Sequence, residues 1–297
     1  MLSNASKSRH DGDLLAVVLI APAAAVVIAA MLLPLVYAFT MSLFDFRPGF
    51  ETQGKFLFLQ NYLRFFQDKI ALQSLLLTLV FTFSALLLEL LLGVGFSILL
   101  LTIPVWVAKV LRGVYCIPLL ISPIIVGLIW RYMYDPTFGI VYFIAKQVGC
   151  DQFFGGLQQP GWSMLCVVLA DVWETTPFVM LCATAGLAAI PGDLYEAARI
   201  DGAGWWNRFL RITFPSLRKV LVVVLIIRGT DAFRVFDIIY ALTNGGPANS
   251  TLSLSIYAFK KGFEQYEMGY AMAISIIMMV VLSLLFGPFL RGSRIRA

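Results

Sequence analysis

Seven ionisable side chains stand inside stretches that are otherwise apolar, and they are where this chain would do chemistry: Glu89, Asp171, Glu174, Arg228, Asp231, Arg234 and Asp237. The last four alternate in sign at i,i+3, a spacing that puts neighbours on one face of a helix. In lipid, each central charge costs about 2.5–3.5 kcal/mol on insertion scales. Two readings follow. The four form a self-neutralising ladder, or their helix lines a wet cavity; a paired ladder can also bind a polar ligand. Trp173 and Phe178 flank Glu174 on the preceding apolar stretch. An aromatic face for the apolar side of a ring, with charged groups for its hydroxyls, is carbohydrate-binding chemistry. Trp173 and Glu174 are adjacent, so they point about 100° apart on a helix and serve two walls. A lone aromatic in such a helix more often simply packs. Glu89 either pairs with a buried arginine or sits near a helix–helix interface.

Other chemistries lack material. The only histidine is His10, in a polar tail, and no HExxH occurs. The four cysteines (Cys116, Cys150, Cys166, Cys182) lie far apart without a CxxC pair, so neither a zinc site nor a disulfide framework is expected. No metal-ligating set and no catalytic residue is identified. Gly49 to Lys55 fits GxxxxGK, but Phe56 replaces the magnesium-holding Ser or Thr, and neither a preceding strand nor a following helix start is evident.

Composition sets the elements that must position these groups. The 297 residues are 60% hydrophobic and 13% charged, with mean hydropathy +0.86. A soluble domain is about 45–50% apolar and about 25% charged, so this is an integral membrane protein. A net charge of +5 is ordinary for one, and no nucleic-acid patch is evident. Apolar runs predict six spans, at about 14–44, 70–101, 113–133, 161–189, 220–243 and 268–290. The first is too long for a signal-peptide core and reads as uncleaved. Pro118 and Pro123 should kink or unwind the third span. Gly93 and Gly95 would let another helix approach the second closely. Asn244-Gly245-Gly246-Pro247 should stop the fifth. Lys and Arg are about twice as dense on the side of the termini, which places both termini and the 190–219 loop in the cytoplasm.

That loop reads IPGDLYEAARIDGAGWWNRFLRITFPSLRK, and it carries the best local helix grammar in the chain. Pro191 marks a break, and Asp193 with Glu196 fits a capping box. Gly202 and Gly204 end a helix too short to span a membrane. Trp205, Trp206, Phe209, Leu210 and Ile212 form a second amphipathic piece that Pro215 should stop.

Glu196-Ala197-Ala198, then Asp201-Gly202-Ala203-Gly204, then Ile212 and Pro215, resemble the EAA loop of bacterial ABC importer permeases. IPGDLYEAARIDGAG, VWETTPF (Val172–Phe178), FDIIYALTNGGP (Phe236–Pro247) and SPIIVGLIWRYMYDPTFG (Ser122–Gly139) look like the carbohydrate-uptake branch, above all the first permease of the maltose, glycerol-phosphate and trehalose types. The resemblance covers nearly the whole chain and is strongest over residues 112–250.

The resemblance implies an all-α integral protein of the cell inner membrane with the type I ABC importer permease fold: six transmembrane helices, cytoplasmic termini and a short cytoplasmic coupling helix. It implies a non-catalytic subunit without a cofactor of its own, ATP and magnesium belonging to the ATPase. Implied partners are a second homologous permease, two copies of a cytoplasmic ABC ATPase, an extracytoplasmic sugar-binding protein, membrane lipid and a carbohydrate substrate. Glu196, Ala197, Ala198, Asp201, Gly202, Ala203 and Gly204 would couple to the ATPase. By position, Trp173, Glu174, Phe178 and Asp231 would hold the sugar; charge and depth add Arg228 and Arg234. The fifth span carries Asp and Arg where the maltose type has amides, and there is no room for that type's large outer domain. Two arginines near the midplane would suit an anionic sugar, since guanidinium binds oxyanions bidentately. The competing class is a stand-alone secondary transporter relaying protons through the intramembrane carboxylates, against which the lack of evident inverted repeats weighs.

Overall fold

In the computed structural model, which describes residues 3–49, 54–149 and 156–294, the long apolar stretches are helices and the polar ones are joints. Helix α1 spans Ser3–Ser42. A small antiparallel ribbon pairs β1 (Phe44–Asp45) with β2 (Lys55–Phe56). Then come α2 (Gln60–Gln67), α3 (Lys69–Thr102), α4 (Val105–Tyr115), α5 (Pro123–Met133) and α6 (Ile140–Gln147). The second half holds α7 (Pro160–Ala188), α8 (Gly192–Ile200), α9 (Trp205–Arg208), α10 (Phe214–Phe233), α11 (Asp237–Leu242), α12 (Leu254–Phe259) and α13 (Met268–Arg294). Among the described residues, α1, α3, α7 and α13 are long and apolar enough to cross a membrane; α4 and α5, bent by 99° at their joint, reach that length and apolarity only together, as a broken span or a re-entrant loop. The charges of α10 keep it out of that group. Residues 50–53 of the GxxxxGK stretch lie outside the described residues, and its Lys55 sits in the ribbon rather than at a helix start.

Proline accounts for the bend. Pro118 opens a 3-10 turn, Pro118–Leu120, and Pro123 starts α5. Neither has an N–H to continue an α-helix through the joint. The helix ahead of the joint begins at Val105, with Pro104 as its N-cap, so Lys109 and Arg112 are helical rather than in a loop.

Helices α3 and α7 form the centre and run parallel, Gly93 against Val179 and Ser97 against Met180, whose carbonyl accepts from Ser97 Oγ at 2.9 Å. Asp68 and Pro160 therefore share one end of the bundle, and α8 lies beyond the other. A Cβ on Gly93 would stand 2.7 Å from Val179 Cβ, whereas one on Gly95 would meet nothing within 4 Å. Of the two glycines, only Gly93 is the contact. Gly93→Val is expected to destabilise the bundle by about 1–3 kcal/mol through overpacking, and Gly95→Val to leave the melting temperature in detergent unchanged.

At the end opposite α8, Asp68 caps α3, accepting from Ile70 N at 3.0 Å and Ala71 N at 3.3 Å. Its other oxygen accepts from the hydroxyls of Tyr257 and Tyr270. Arg64 lies 4.2 Å over the Tyr270 ring and pairs with Glu267 at 2.7 Å; Lys261 reaches the same carboxylate at 3.4 Å. This cluster fastens α2 and α3 to α12 and α13. Partial burial raises the Asp68 pKa, but the two tyrosine hydroxyls and the two amides together lower it further, so the carboxyl lies below its ordinary 3.8. A depressed folded pKa stabilises above the unfolded value, and the gain is lost as pH falls through the folded one. Asp68→Ala should cost about 1 kcal/mol from the cap alone. The wild-type minus variant difference should be flat above pH 5 and shrink below about pH 4.

Candidate functional site: a buried arginine hub and an exposed short helix

Arg228 comes from α10 and meets three carboxylates from three helices. Glu89 of α3 faces it with Oε1 at 3.0 Å from Nη2 and Oε2 at 2.9 Å from Nε. The first contact is a hydrogen bond, and the second is an ionic contact without hydrogen-bond geometry. Asp171 of α7 accepts from Nη2 at 2.5 Å, and Asp231, one turn along α10, accepts from Nη1 at 2.9 Å. Glu89, Asp171 and Arg228 are buried, while the Asp231 side chain is 68% exposed. Glu89 thus takes the arginine-pairing role.

The expected ladder stops at its first rung. Helix α10 ends at Phe233, and Asp237 starts α11. Two tightened bonds, Arg234 N to Asp231 O and Val235 N to Ala232 O, close α10, and Phe236 (φ −135, ψ −61) redirects the chain. The freed Val235 carbonyl accepts from Ser253 Oγ at 3.1 Å. A break at this depth requires such partners. Among the described residues Arg234 makes no ion pair; its Nε donates to Thr230 O at 3.2 Å. It lines a groove of about 420 Å³ with Thr230, Ser275, Met278, Met279 and Leu282.

Trp173 is 38% exposed and meets Trp130 of α5 edge-on at 5.8 Å. Glu174 is buried, in the electrostatic field of Asp171, Arg228, Asp231 and Asp237, and Phe178 is half-buried. Tyr240, exposed on α11, stacks on Phe236 at 5.2 Å. Pro177 cannot donate to the Trp173 carbonyl four residues earlier, which leaves that oxygen for another partner. Trp130 and Tyr240 were not singled out as site residues by sequence. Trp130 and Tyr240 lie in stretches whose patterns read as packing, and only the folded neighbours distinguish them.

At the other end, α8 buries none of its residues. Glu196 and Ala197 are exposed, as is Ile200 at 87%. The expected capping box does not form: Pro191 is the N-cap, no side chain caps the helix, and Asp193 sits inside the first turn. There its charge favours the positive end of the helix dipole. The C-terminus follows the expectation. Gly202 adopts φ +73, with Gly202 N on Arg199 O at 3.0 Å and Ala203 N on Ala198 O at 2.8 Å. That pair of bonds is a Schellman motif, which needs a left-handed residue at Gly202. Tyr195 Oη and Thr213 Oγ1, 3.0 Å apart, tie α8 to the next segment. Pro215 does not stop that segment. A π-helical stretch at Phe209–Thr213 joins α9 to α10, and Pro215 falls in the first turn of α10. The wider turn accommodates the missing donor and the ring.

The comparisons bear on both features. Residues 90–291 match the family model described as the binding-protein-dependent transport system inner membrane component. The trehalose/maltose transport system permease protein of Thermococcus litoralis is 38% identical over 98% of this chain and 97% of its own length. The sulfoquinovosyl glycerol transport system permease protein of Agrobacterium fabrum is 31% identical over 94% and 91%. Among solved structures, a bacterial ABC transporter that imports the acidic polysaccharide alginate superposes with a TM-score of 0.80 at 22% identity, covering 97% of both chains. That likeness carries the type I importer permease fold. The chain belongs to the family of inner-membrane components of binding-protein-dependent transport systems, as a non-catalytic ABC permease subunit.

Proposed function

We propose that this subunit forms half of the path of an ATP-driven sugar importer and takes its drive through α8. The observation that carries the reading is an exposed nine-residue helix with no buried side chain, in a chain of this family. It is about 13 Å long, a size suited to docking in a cleft of a cytoplasmic ATPase. Glu196, Ala197 and Ala198 would form the docked surface, and Asp201 to Gly204 its stop. The Tyr195–Thr213 contact would pass the movement to α10. The six-span topology with cytoplasmic termini, the second permease, the paired ATPase and the extracytoplasmic binding protein belong to the same proposal. The sugar reading draws on the relatives, two of which are named for trehalose/maltose and sulfoquinovosyl glycerol. Trp173, Glu174, Phe178, Asp231 and Arg234 are the proposed sugar contacts. Arg228, walled in by its carboxylates, would act by holding Asp231 in place rather than by touching sugar.

Extraction in mild detergent, pull-down of this chain and mass spectrometry test the assembly. The expected co-purifying proteins are an ATPase with a P-loop and a second EAA-bearing permease. A chain that comes out alone and still moves solute in liposomes would support the secondary-transporter class instead.

A further inference from the structure

We infer that the wall this chain contributes selects uncharged, hydroxyl-rich sugars and disfavours anionic ones, with Asp231 and Asp237 setting the choice; the inference rests on the sugar-transport reading. Two arginines near the path would ordinarily suggest an oxyanion site. The folded arrangement removes one of them. Every polar edge of the Arg228 guanidinium already faces a carboxylate of Glu89, Asp171 or Asp231, and the side chain is buried. An incoming carboxylate or sulfonate would have to displace one of these and then lie against the other two.

Arg234 is the remaining cation, and it is outnumbered. Asp231 uses only Oδ2 on Arg228 and is largely exposed, Asp237 is exposed, and the buried Glu174 lies in the electrostatic field of both. Among the exposed charged groups of this set, Arg234 stands against two carboxylates, Asp231 and Asp237, while Arg228, Glu89, Asp171 and Glu174 are buried. Carboxylate oxygens accept from hydroxyls, which a neutral sugar supplies in number. Trp173 and Tyr240 are 38% and 39% exposed. A like charge about 6 Å away at an effective dielectric of about 20 weakens binding by roughly 100-fold.

The test uses the purified permease–ATPase complex without its binding protein, whose own preference would otherwise enter. Trehalose and a glucuronate-containing disaccharide of equal size are titrated at pH 7 by tryptophan fluorescence, with Trp173→Phe as the background. Wild type is expected to prefer the neutral sugar by at least about tenfold. Asp231→Asn/Asp237→Asn, which keeps hydrogen-bonding shape and leaves an acceptor for Arg228, is expected to bring the ratio below about threefold. Equal or tighter binding of the glucuronate sugar by wild type would overturn the inference, as would an unchanged ratio in the double variant. Binding of neither sugar to an intact complex would overturn the sugar reading beneath it.

Discussion

Replacing Arg228 by methionine is expected to lower stability by about 3–5 kcal/mol, because it strands Glu89 and Asp171 as buried, unpaired carboxylates. The measurement is the midpoint of thermal or denaturant unfolding in detergent, with the yield of monodisperse protein beside it. Two companions keep the result interpretable. Arg234→Met removes the same chemical group one and a half turns further on, where it holds only a backbone carbonyl. It should stay within about 0.5 kcal/mol of wild type. The combination Arg228→Met, Glu89→Leu, Asp171→Leu removes the whole buried set. It should recover most of the loss, since packed apolar groups commonly replace a buried ion cluster without penalty. If Arg228→Met were as mild as Arg234→Met, the hub would not be what joins α3, α7 and α10.

Gly202→Asp is expected to lower coupling by about 5–30-fold while leaving the protein in the membrane. The φ of +73 at Gly202 costs any residue with a Cβ about 1–2 kcal/mol. A new carboxylate beside Asp201 at the C-terminal end of α8 opposes the helix dipole as well. A local loss of that size shifts the population of the capped helix by a factor of about 5–30. In the reconstituted complex, sugar uptake should fall by about that factor while basal ATP hydrolysis persists. Gly202→Asn, which meets the same left-handed backbone without adding a charge at the helix C-terminus, should retain more of the uptake than Gly202→Asp. Wild-type uptake in the Asp variant would remove α8 from the coupling account.

Local patterns in the sequence predicted the helices and the α8 stop, and long-range contacts decided what remained. The run of uncharged residues after Leu14 and the paired prolines at 118 and 123 act on neighbouring backbone, so α1 and the α4–α5 bend were legible. Gly202 announced itself in the same way. The arginine hub did not. Its Arg228–Glu89 bond joins residues 139 positions apart, and nothing in either stretch names the other. The i,i+3 spacing overstated the ladder because a helix break is invisible to a spacing count. The break at Arg234–Phe236 depends on Ser253 reaching back to the Val235 carbonyl. Pro215 misled for a related reason, since a π-helical turn ahead of it kept the helix going. Asp193 and Glu196 had the spacing of a capping box, but Pro191 set the helix start earlier and shifted the register.

The most direct measurement of the central claim is solute uptake by the purified complex in sealed liposomes, with ATP supplied on the α8 side and a protonophore present or absent. The account predicts sugar uptake that requires ATP and the ATPase, ignores the protonophore, and falls by about 5–30-fold in Gly202→Asp. Uptake by this chain without any ATPase, collapsing when the protonophore is added, would contradict it and move the mechanism to the carboxylates around Arg228.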